Sequence, residues 1–274
     1  MTESKPEIEL KVLGTRGSMP GEGGIFSRYG GSTSCYLVKI GKEEIYLDAG
    51  SGIADAKPAN DANITLLFTH MHIDHLVGLP FFRALTEKNR RINIYGAPRA
   101  GLTPAEGIEK LMSPPFWPAK IGDYPAQTEI HTLPTEGEFT FPIGKVNIRM
   151  IEGQHPNGST IFRLDYSDKS LVYATDFEHN DESSEKLIAF AQNCDLLMYD
   201  GQYTDEEYTK YKGYGHSTPS VGISIAKKCG AKSLLLVHHA PWRTDKELDS
   251  IETDLQAEYG EWISLAKIGE RRFL

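Results

Sequence analysis

Three imidazoles and one carboxylate lie close together in the segment THMHIDH, residues 69–75. The segment directly follows the apolar run 64–68, which is typical of a buried strand. Imidazole nitrogen is the commonest neutral metal ligand in proteins, and a neighbouring aspartate adds a charged oxygen donor. Folding alone gives no reason to gather four such groups at the end of a buried strand. The spacing therefore predicts a metal site that includes His70, His72, Asp74 and His75.

Further ligand-type side chains stand where other apolar runs end. His155 lies in the turn 153–156, Asp176 follows 171–175, Asp200 follows 196–199 and His238 follows 234–237. Polar residues at the carboxyl ends of buried strands gather at one edge of a sheet, so we expect these side chains to share a rim with the first cluster.

Without Asp200, seven of these side chains remain as ligands, and seven suit two metal ions about 3.5–4 Å apart with a carboxylate between them. We expect one ion on His70, His72 and His155. We expect the other on Asp74, His75 and His238, with Asp176 bridging. Ligation by imidazole and carboxylate without thiolate favours zinc, while manganese and iron remain compatible.

The charge of such a centre indicates its substrate. Two divalent ions, two carboxylates and a bridging hydroxide leave a net charge of about +1, which attracts a monoanionic phosphodiester and stabilises the charge that builds up at phosphorus. The metals also lower the pKa of bound water towards about 7. We therefore predict a dinuclear metal-dependent hydrolase that acts on phosphodiesters, with a metal-bridging hydroxide as nucleophile.

The bulk composition limits the remaining possibilities. The chain has 274 residues, and we predict that 1–274 form one hydrolase domain. The formal net charge of −9 argues against binding a long nucleic acid, but not against a small anionic substrate. No apolar run is long enough to cross a bilayer, the start MTESKPEIEL lacks the features of a signal peptide, and the three cysteines form no framework. We expect a cytoplasmic protein without membrane contact.

Short β-rich runs separated by Gly, Asn and Asp must position these side chains. Strands are predicted at 8–13, 33–40, 44–48, 64–69, 92–95, 146–151, 160–165, 171–175, 196–199 and 233–237. Capping signals predict helices after Thr103, Thr218 and Thr244, and a further helix is expected over about 76–87, where Pro80 could interrupt it. The proline- and aromatic-rich stretch 111–124 reads either as a rigid surface connection or as a loop over a pocket.

The full set of motifs resembles the metallo-β-lactamase superfamily: THMHIDH, Gln154-His155-Pro156, Ala174-Thr175-Asp176 and Val237-His238-His239-Ala240-Pro241. The resemblance implies an α/β fold, the αββα sandwich with two mixed β-sheets flanked by helices, and a dinuclear site along one edge of the sheets. The opening motifs LGTRGS (13–18), GGSTSC (30–35) and YLDAGSG (46–52) are similar to those of the ribonuclease Z-like and phosphodiesterase branch.

Membership of that branch would give several further residues a role. The segment GHST at 215–218 implies that His216 contacts the scissile phosphate or protonates the leaving oxygen, oriented by Asp200, which stands where the tRNA-processing enzymes have Glu. Alternatively His216 only caps the following helix. Asp48 would orient ligands or serve a turn, and Arg16 would bind a substrate phosphate or form a salt bridge within its loop.

Neighbouring strand residues point to opposite faces, so only one of His238 and His239 should face the metals, and the family register favours His238. We expect His131 and His179 to be ordinary surface residues.

The Gly/Pro-rich arm by which ribonuclease Z grips tRNA is not visible, which favours compact substrates such as cyclic nucleotides. The alternatives are a ribonuclease Z-like RNA endonuclease, a thioester or lactone hydrolase on the same scaffold, and a binding module without activity. Relatives in the branch allow for a homodimer.

Overall fold

Two mixed β-sheets of seven strands each form the centre of the protein, in a computed structural model that describes residues 7–274. Residues 1–6 lie outside the described residues, so the expectation of no signal peptide, which concerns MTESKPEIEL, falls partly on them. The first sheet contains β1 (Glu9–Gly14), β2 (Cys35–Ile40), β3 (Glu43–Leu47), β4 (Asn63–Leu67), β5 (Arg91–Gly96), β6 (Gln127–Thr132) and β14 (Arg271–Phe273). Its order is β14-β1-β2-β3-β4-β5-β6, with parallel pairing from β3 to β6.

The second sheet repeats this plan with the later part of the chain. It contains β7 (Phe139–Ile143), β8 (Val146–Gly153), β9 (Ser159–Tyr166), β10 (Lys169–Ala174), β11 (Leu196–Asp200), β12 (Ser233–Val237) and β13 (Ile263–Leu265). Its order is β13-β12-β11-β10-β9-β8-β7, with β10 to β13 parallel.

Six α-helices lie within the described residues, and the longer ones cover the outer faces of the sheets. They are α1 (Ile73–Leu76), α2 (Pro104–Leu111), α3 (Asp181–Phe190), α4 (Asp205–Tyr211), α5 (Pro219–Cys229) and α6 (Asp245–Tyr259). Short 3-10 turns occupy 24–26, 51–55, 79–81, 83–86 and 121–123. None of the helices described over 7–274 has the length and apolar character that a bilayer crossing needs.

Three apolar layers hold these elements together. One buried cluster fills the space between the two sheets and includes Leu10 and Phe162. A second packs α2 and the turns at 79–86 on the outer face of the first sheet, and a third packs α3, α5 and α6 on the outer face of the second. The layer order is therefore αββα, which confirms the predicted fold. That the whole chain is one domain stays a prediction.

The parallel strands of both sheets end at one edge of the sandwich. Leu47 of β3 pairs with Leu67 of β4, and Asp200 of β11 pairs with Val237 of β12, so the residues that follow these strands lie side by side. Across the sheets, the amide of Thr160 donates to the carbonyl oxygen of Thr69 at 2.8 Å. The shared rim expected from the sequence is thus present.

The predicted helix over 76–87 is wrong. A single helical turn, α1, begins earlier, inside the metal motif, and 76–87 otherwise contains two separate 3-10 turns. Pro80 lacks an amide hydrogen and disfavours helical geometry at Leu79, so a continuous helix cannot pass through this point. The helices predicted after Thr103, Thr218 and Thr244 begin at the next residue, each with a threonine cap.

The stretch 111–124 is packed against the protein rather than projecting from it. Trp117 and Tyr124 pack on the outer cluster of the first sheet, and the indole nitrogen of Trp117 donates to the Tyr124 hydroxyl at 2.9 Å. Phe116 remains 79% exposed. Two of its aromatic residues thus attach the segment to the first sheet, and its first residue, Leu111, lines a cavity beside the site described below.

Candidate metal centre

The first group of predicted ligands converges on one point at the sheet edge. One ligand atom each from His70, His72 and His155 lies within 4.8 Å of the other two. Nδ1 of His72 and Nε2 of His155 are 3.1 Å apart. Nδ1 of His155 pairs with the carbonyl oxygen of Gly215 at 2.8 Å and must donate, which leaves the lone pair of Nε2 directed at His72. Of the seven predicted ligands only His72 is not buried.

The second group forms next to the first. Asp74, His75 and His238 also offer ligand atoms within 4.8 Å of one another. Oδ2 of Asp74 lies 3.3 Å from Nε2 of His75 and 3.8 Å from Nε2 of His238. The amide of Ser18 donates to the same Asp74 oxygen at 2.7 Å and holds the carboxylate in place.

Asp176 stands between the two groups, with one carboxylate oxygen towards each. Its Oδ1 is 3.8 Å from Nε2 of His70 and 3.7 Å from Nε2 of His155. Its Oδ2 is 3.2 Å from Nε2 of His75 and 3.3 Å from Nδ1 of His238. This is the arrangement that a bridging carboxylate requires.

The donor set fits divalent cations. Nε2 of His70, His75 and His238 is buried in each case without a hydrogen-bond partner among the described residues. A buried polar nitrogen without a partner is destabilising, and a cation at the centre would satisfy all three. The ligands are nitrogen and oxygen only, which suits zinc and also manganese or iron.

The electrostatics of the centre favour the neutral form, which a metal ligand needs, at four of the five expected imidazoles. Burial lowers the pKa of His70, His72, His155 and His238, so these imidazoles are neutral and have a lone pair available. Burial alone would lower the pKa of His75 as well, but the carboxylates of Asp176, Asp74 and Asp48 raise it. Burial alone would raise the pKa of Asp74, but the His75 imidazole holds it below its usual range.

Asp48 orients the centre through hydrogen bonds to residues around it. Its carboxylate accepts hydrogen bonds from Nδ1 of His75 at 2.8 Å, from the amide of Thr69 at 2.8 Å and from the hydroxyl of Tyr173 at 2.9 Å. The first bond fixes the ring of His75 so that Nε2 faces the centre. Since Tyr173 belongs to the other sheet, the same carboxylate also joins the two sheets at the rim. This geometry matches the orienting role expected from the sequence.

Three of these side chains reach the centre through an unusual backbone conformation. Asp48 and His238 directly follow a strand and Asp176 comes one residue after β10, and the three have positive φ values of 60°, 62° and 52° respectively. Left-handed backbone is disfavoured for residues with a Cβ, by roughly 1–2 kcal/mol. At these positions it turns the chain out of the strand and over the rim.

His216 and Asp200 form the predicted pair. Nδ1 of His216 lies 2.9 Å from Oδ2 of Asp200, and both side chains are buried. The same oxygen accepts the amide of Asp176 at 3.0 Å, and the other accepts the amide of Gln202 at 3.0 Å. Burial alone would lower the pKa of His216, but the Asp200 carboxylate raises it to about 9.

Arg16 does not face the centre, so its predicted contact with a substrate phosphate is wrong. The side chain is fully buried. Nε donates to the carbonyl oxygen of Gly30 at 2.6 Å, and Nη1 donates to those of Ala240 and Arg243 at 3.1 and 2.6 Å. Asp245 lies 4.0 Å away, and the guanidinium holds neighbouring loops together. This is closer to the other expectation, a salt bridge within its loop.

The other histidines divide into two cases. Nε2 of His239 pairs with the carbonyl oxygen of Ala266 at 2.9 Å, so His239 points away from the centre as expected. His131 is partly exposed at the edge of the first sheet, as predicted. His179 is also partly exposed, but in addition its Nδ1 lies 2.8 Å from Oγ of Ser217, next to His216.

Several residues that shape the centre were missed in the sequence. A Cβ on Gly17 would lie 2.2 Å from the His238 ring, so only glycine fits there. Glu178 accepts the amides of Gly213 and Gly215 at 2.6 and 2.9 Å and so fixes the loop that carries His216. Gly17 stands in the LGTRGS motif, which was a usable signal, whereas no sequence pattern marks Glu178.

Fold and site together define a class, the αββα proteins with a histidine- and aspartate-lined metal centre at the sheet edge. The family model described as the β-lactamase superfamily domain matches residues 43–239. A ribonuclease Z of Metallosphaera sedula is 24% identical over 276 residues, covering 88% of this chain and 91% of the relative.

Solved structures share the fold over nearly the whole chain. The metallo-β-lactamase fold protein YhfI from Bacillus subtilis superposes with a TM-score of 0.73 at 21% identity, covering 98% of this chain and all of that one. A diphosphatase of the PhnP family gives a TM-score of 0.69 at 19% identity, covering 97% of each chain. The chain therefore belongs to the metallo-β-lactamase superfamily and is a metal-dependent hydrolase, and in sequence it is similar to ribonuclease Z.

Proposed function

We propose that this chain hydrolyses small phosphodiesters, with cyclic nucleotides as leading substrates. Two divalent ions, zinc before manganese or iron, would be held by His70, His72, Asp74, His75, His155, Asp176 and His238. The observation that carries the proposal is the His216–Asp200 pair, 2.9 Å apart, directly beside the ligand cluster. The ring of His216 lies 5.4 Å from that of His155 and 5.0 Å from that of His238. Hydrolysis of a carbonyl compound gives no specific role to such a pair.

The side chains of Asp200 and His216 position the phosphate and supply the proton. When bound, the two ions neutralise the phosphate charge and supply hydroxide at neutral pH. Asp200 accepts from Nδ1 of His216 and fixes the ring, so that Nε2 is left to contact a phosphate oxygen or to protonate the leaving oxygen. Asp200 also holds the amide of Asp176, so the bridging ligand and the acid are positioned by one carboxylate.

An RNA endonuclease activity is the second candidate, because the relative from Metallosphaera sedula is a ribonuclease Z that matches over most of both chains. The net charge of −9 weighs against it, since proteins that bind a long phosphate backbone carry basic surfaces. A cytoplasmic location and a homodimeric state stay predictions.

A substrate panel separates these readings. With zinc or manganese, the purified protein is expected to hydrolyse an aryl phosphodiester and a cyclic nucleotide, and to leave a thioester unchanged. Release of p-nitrophenol and chromatography of the nucleotide measure the rates. Binding of precursor tRNA that weakens steeply with salt, together with its cleavage, would favour the RNA endonuclease instead. Thioester turnover without phosphodiester turnover would overturn both.

Gly17→Ala is expected to disturb the second metal position. The added methyl group would lie 2.3 Å from Nε2 of His238 and 2.4 Å from Oε1 of Gln202, so the ring must move away from the centre. We expect loss of bound metal and a fall in kcat/KM of about 10- to 100-fold. Gly122→Ala is the matched control, because no atom lies within 4 Å of its added Cβ. Metal content by elemental analysis and activity equal to those of the control would contradict the assignment of His238.

A further inference from the structure

An apolar cavity of about 250 Å³ opens beside the metal centre, on the side of His72. Its walls include Met71, Leu76, Leu102 and Leu111. Met71 stands between two predicted ligands in the sequence, so the cavity wall and the metal site are built from the same segment. A substrate phosphate at the metals would therefore lie next to the mouth of the cavity.

The size and the lining of the cavity suit a single ring. Drug-sized ligands occupy about 300–1,000 Å³, so this smaller space takes one compact group rather than a long chain. Met71 contributes a thioether, which makes favourable contacts with aromatic rings. A Cβ on Gly107 would lie 2.2 Å from that sulfur, so α2 holds the side chain of Met71 closely in place.

Arg99 gives the cavity one fixed polar group. It lines the cavity, is 6% exposed, and is held by Glu152 at 2.8 Å and by Oγ1 of Thr160 at 2.8 Å. Its Nε has no hydrogen-bond partner among the described residues. Because both terminal nitrogens are engaged and Nε is buried, the planar guanidinium offers the cavity its face, on which a flat ring can stack.

We propose that this cavity binds a base-like heteroaromatic ring of the substrate. The ring belongs to the ester group that stays attached to the phosphate after hydrolysis, called the retained group below. The proposal rests on the phosphodiesterase function above and narrows its substrates to nucleoside-type diesters. His72 lies beside the cavity, with its ring 4.9 Å from that of His155, and the ring of His216 is 5.4 Å from that of His155. The retained group thus lies towards the cavity and the leaving oxygen towards His216.

Two chromogenic diesters that differ only in the retained group test this. Thymidine 5′-(p-nitrophenyl) phosphate and methyl p-nitrophenyl phosphate both release p-nitrophenol. Burial of a ring of about 100 Å² predicts that kcat/KM is about 50-fold higher for the nucleoside diester. n-Butyl p-nitrophenyl phosphate buries up to three further methylene groups but offers no ring to Met71 and Arg99, so its kcat/KM should lie between those of the methyl and nucleoside diesters.

Filling the cavity should remove this preference. In Leu111→Trp the indole occupies the space, so the ratio of the two kcat/KM values should fall to about 5 or less. Leu255→Trp, a similar change at a half-buried leucine of α6 on the other sheet, should keep the wild-type ratio. Leu102→Trp replaces Leu111→Trp if thermal melting shows that the latter does not fold.

The outcomes separate this proposal from the one on which it rests. If the wild type hydrolyses none of the diesters, the phosphodiesterase function fails. If it hydrolyses all with similar kcat/KM, or if the butyl diester matches the nucleoside diester, the ring site fails while the function stands. A preference for the nucleoside that survives in both filled variants also overturns the ring site.

Discussion

Asp74→Ala is expected to abolish hydrolysis of an aryl phosphodiester while the protein stays folded. The Asp74 carboxylate lies 3.3 Å from Nε2 of His75 and 3.8 Å from Nε2 of His238, and the expected ligand set offers no other group that can take its place. Without it the second ion is lost, and with that ion the activated nucleophile, so kcat should fall by about 10⁴-fold or more. Stopped assays with p-nitrophenol detection cover this range.

The control for Asp74→Ala is Asp61→Ala, which removes an aspartate that is 70% exposed and pairs only with Lys42 on the surface. Circular dichroism should show the same fold for both variants, and elemental analysis should show metal loss only at position 74. If Asp74→Ala turned over substrate at the wild-type rate, the carboxylate would have no role as a ligand. Asp74→Asn, which keeps the acceptor for the Ser18 amide, serves if the alanine variant fails to fold.

His216→Ala is expected to lower kcat by about 10²–10⁴-fold while the metal content stays near that of the wild type. Nδ1 of His216 pairs with Asp200 at 2.9 Å and lies 3.9 Å from Oδ1 of Asp176, but His216 is not one of the seven expected ligands. We therefore expect its loss to remove a proton donor and to leave the ions bound. The effect should depend on the leaving group. A p-nitrophenolate needs no proton to leave, whereas the alkoxide of a cyclic nucleotide does, so the cyclic nucleotide should suffer more.

His131→Ala is the matched control, since this histidine lies at the edge of the first sheet and pairs with Asn93. It should leave kcat unchanged for both substrates. An equal loss of metal and of turnover in His216→Ala would show that His216 is itself a ligand. A loss of the same size for both leaving groups would show that it positions the phosphate without transferring a proton.

The interior of the fold could be predicted from the sequence, and its edges could not. Each of the ten predicted strands is present, and each is flanked on both sides in its sheet. The four missed strands, β6, β7, β13 and β14, are the edge strands of the two sheets. An edge strand has fewer buried positions, as the mostly exposed β7 shows, so it lacks the apolar run by which a strand is recognised.

The helices missed in the sequence show a different limit. Thr204 and Glu207 form the same capping box at α4 as Thr244 and Glu247 form at α6, so the sequence contains a start signal for α4 as well. Apolar periodicity could not have supported it, because α4 has no buried residue.

Residues of the candidate site could be predicted where a ligand-type side chain follows an apolar run. They could not be predicted where the role of a residue depends on long-range packing. His155 and Asp176 could be selected because each follows a strand, and the structure brings them within 3.7 Å of one another. Arg16 was misjudged because sequence shows its charge but not its burial against Gly30 and Ala240. Glu178 was missed because its partners lie more than 30 residues away.

The strand-end residues at positive φ set competing demands on this protein. Glycine at 48, 176 or 238 would relieve the backbone of Asp48, Asp176 and His238, yet each exchange would remove a ligand or the carboxylate that holds one. Glycine at 48 would also break the buried hydrogen bonds from Thr69 and Tyr173, and glycine at 176 or 238 would leave a cavity where a fully buried side chain now packs. The left-handed turns therefore persist because the side chains beyond them fill the protein interior as well as the metal site.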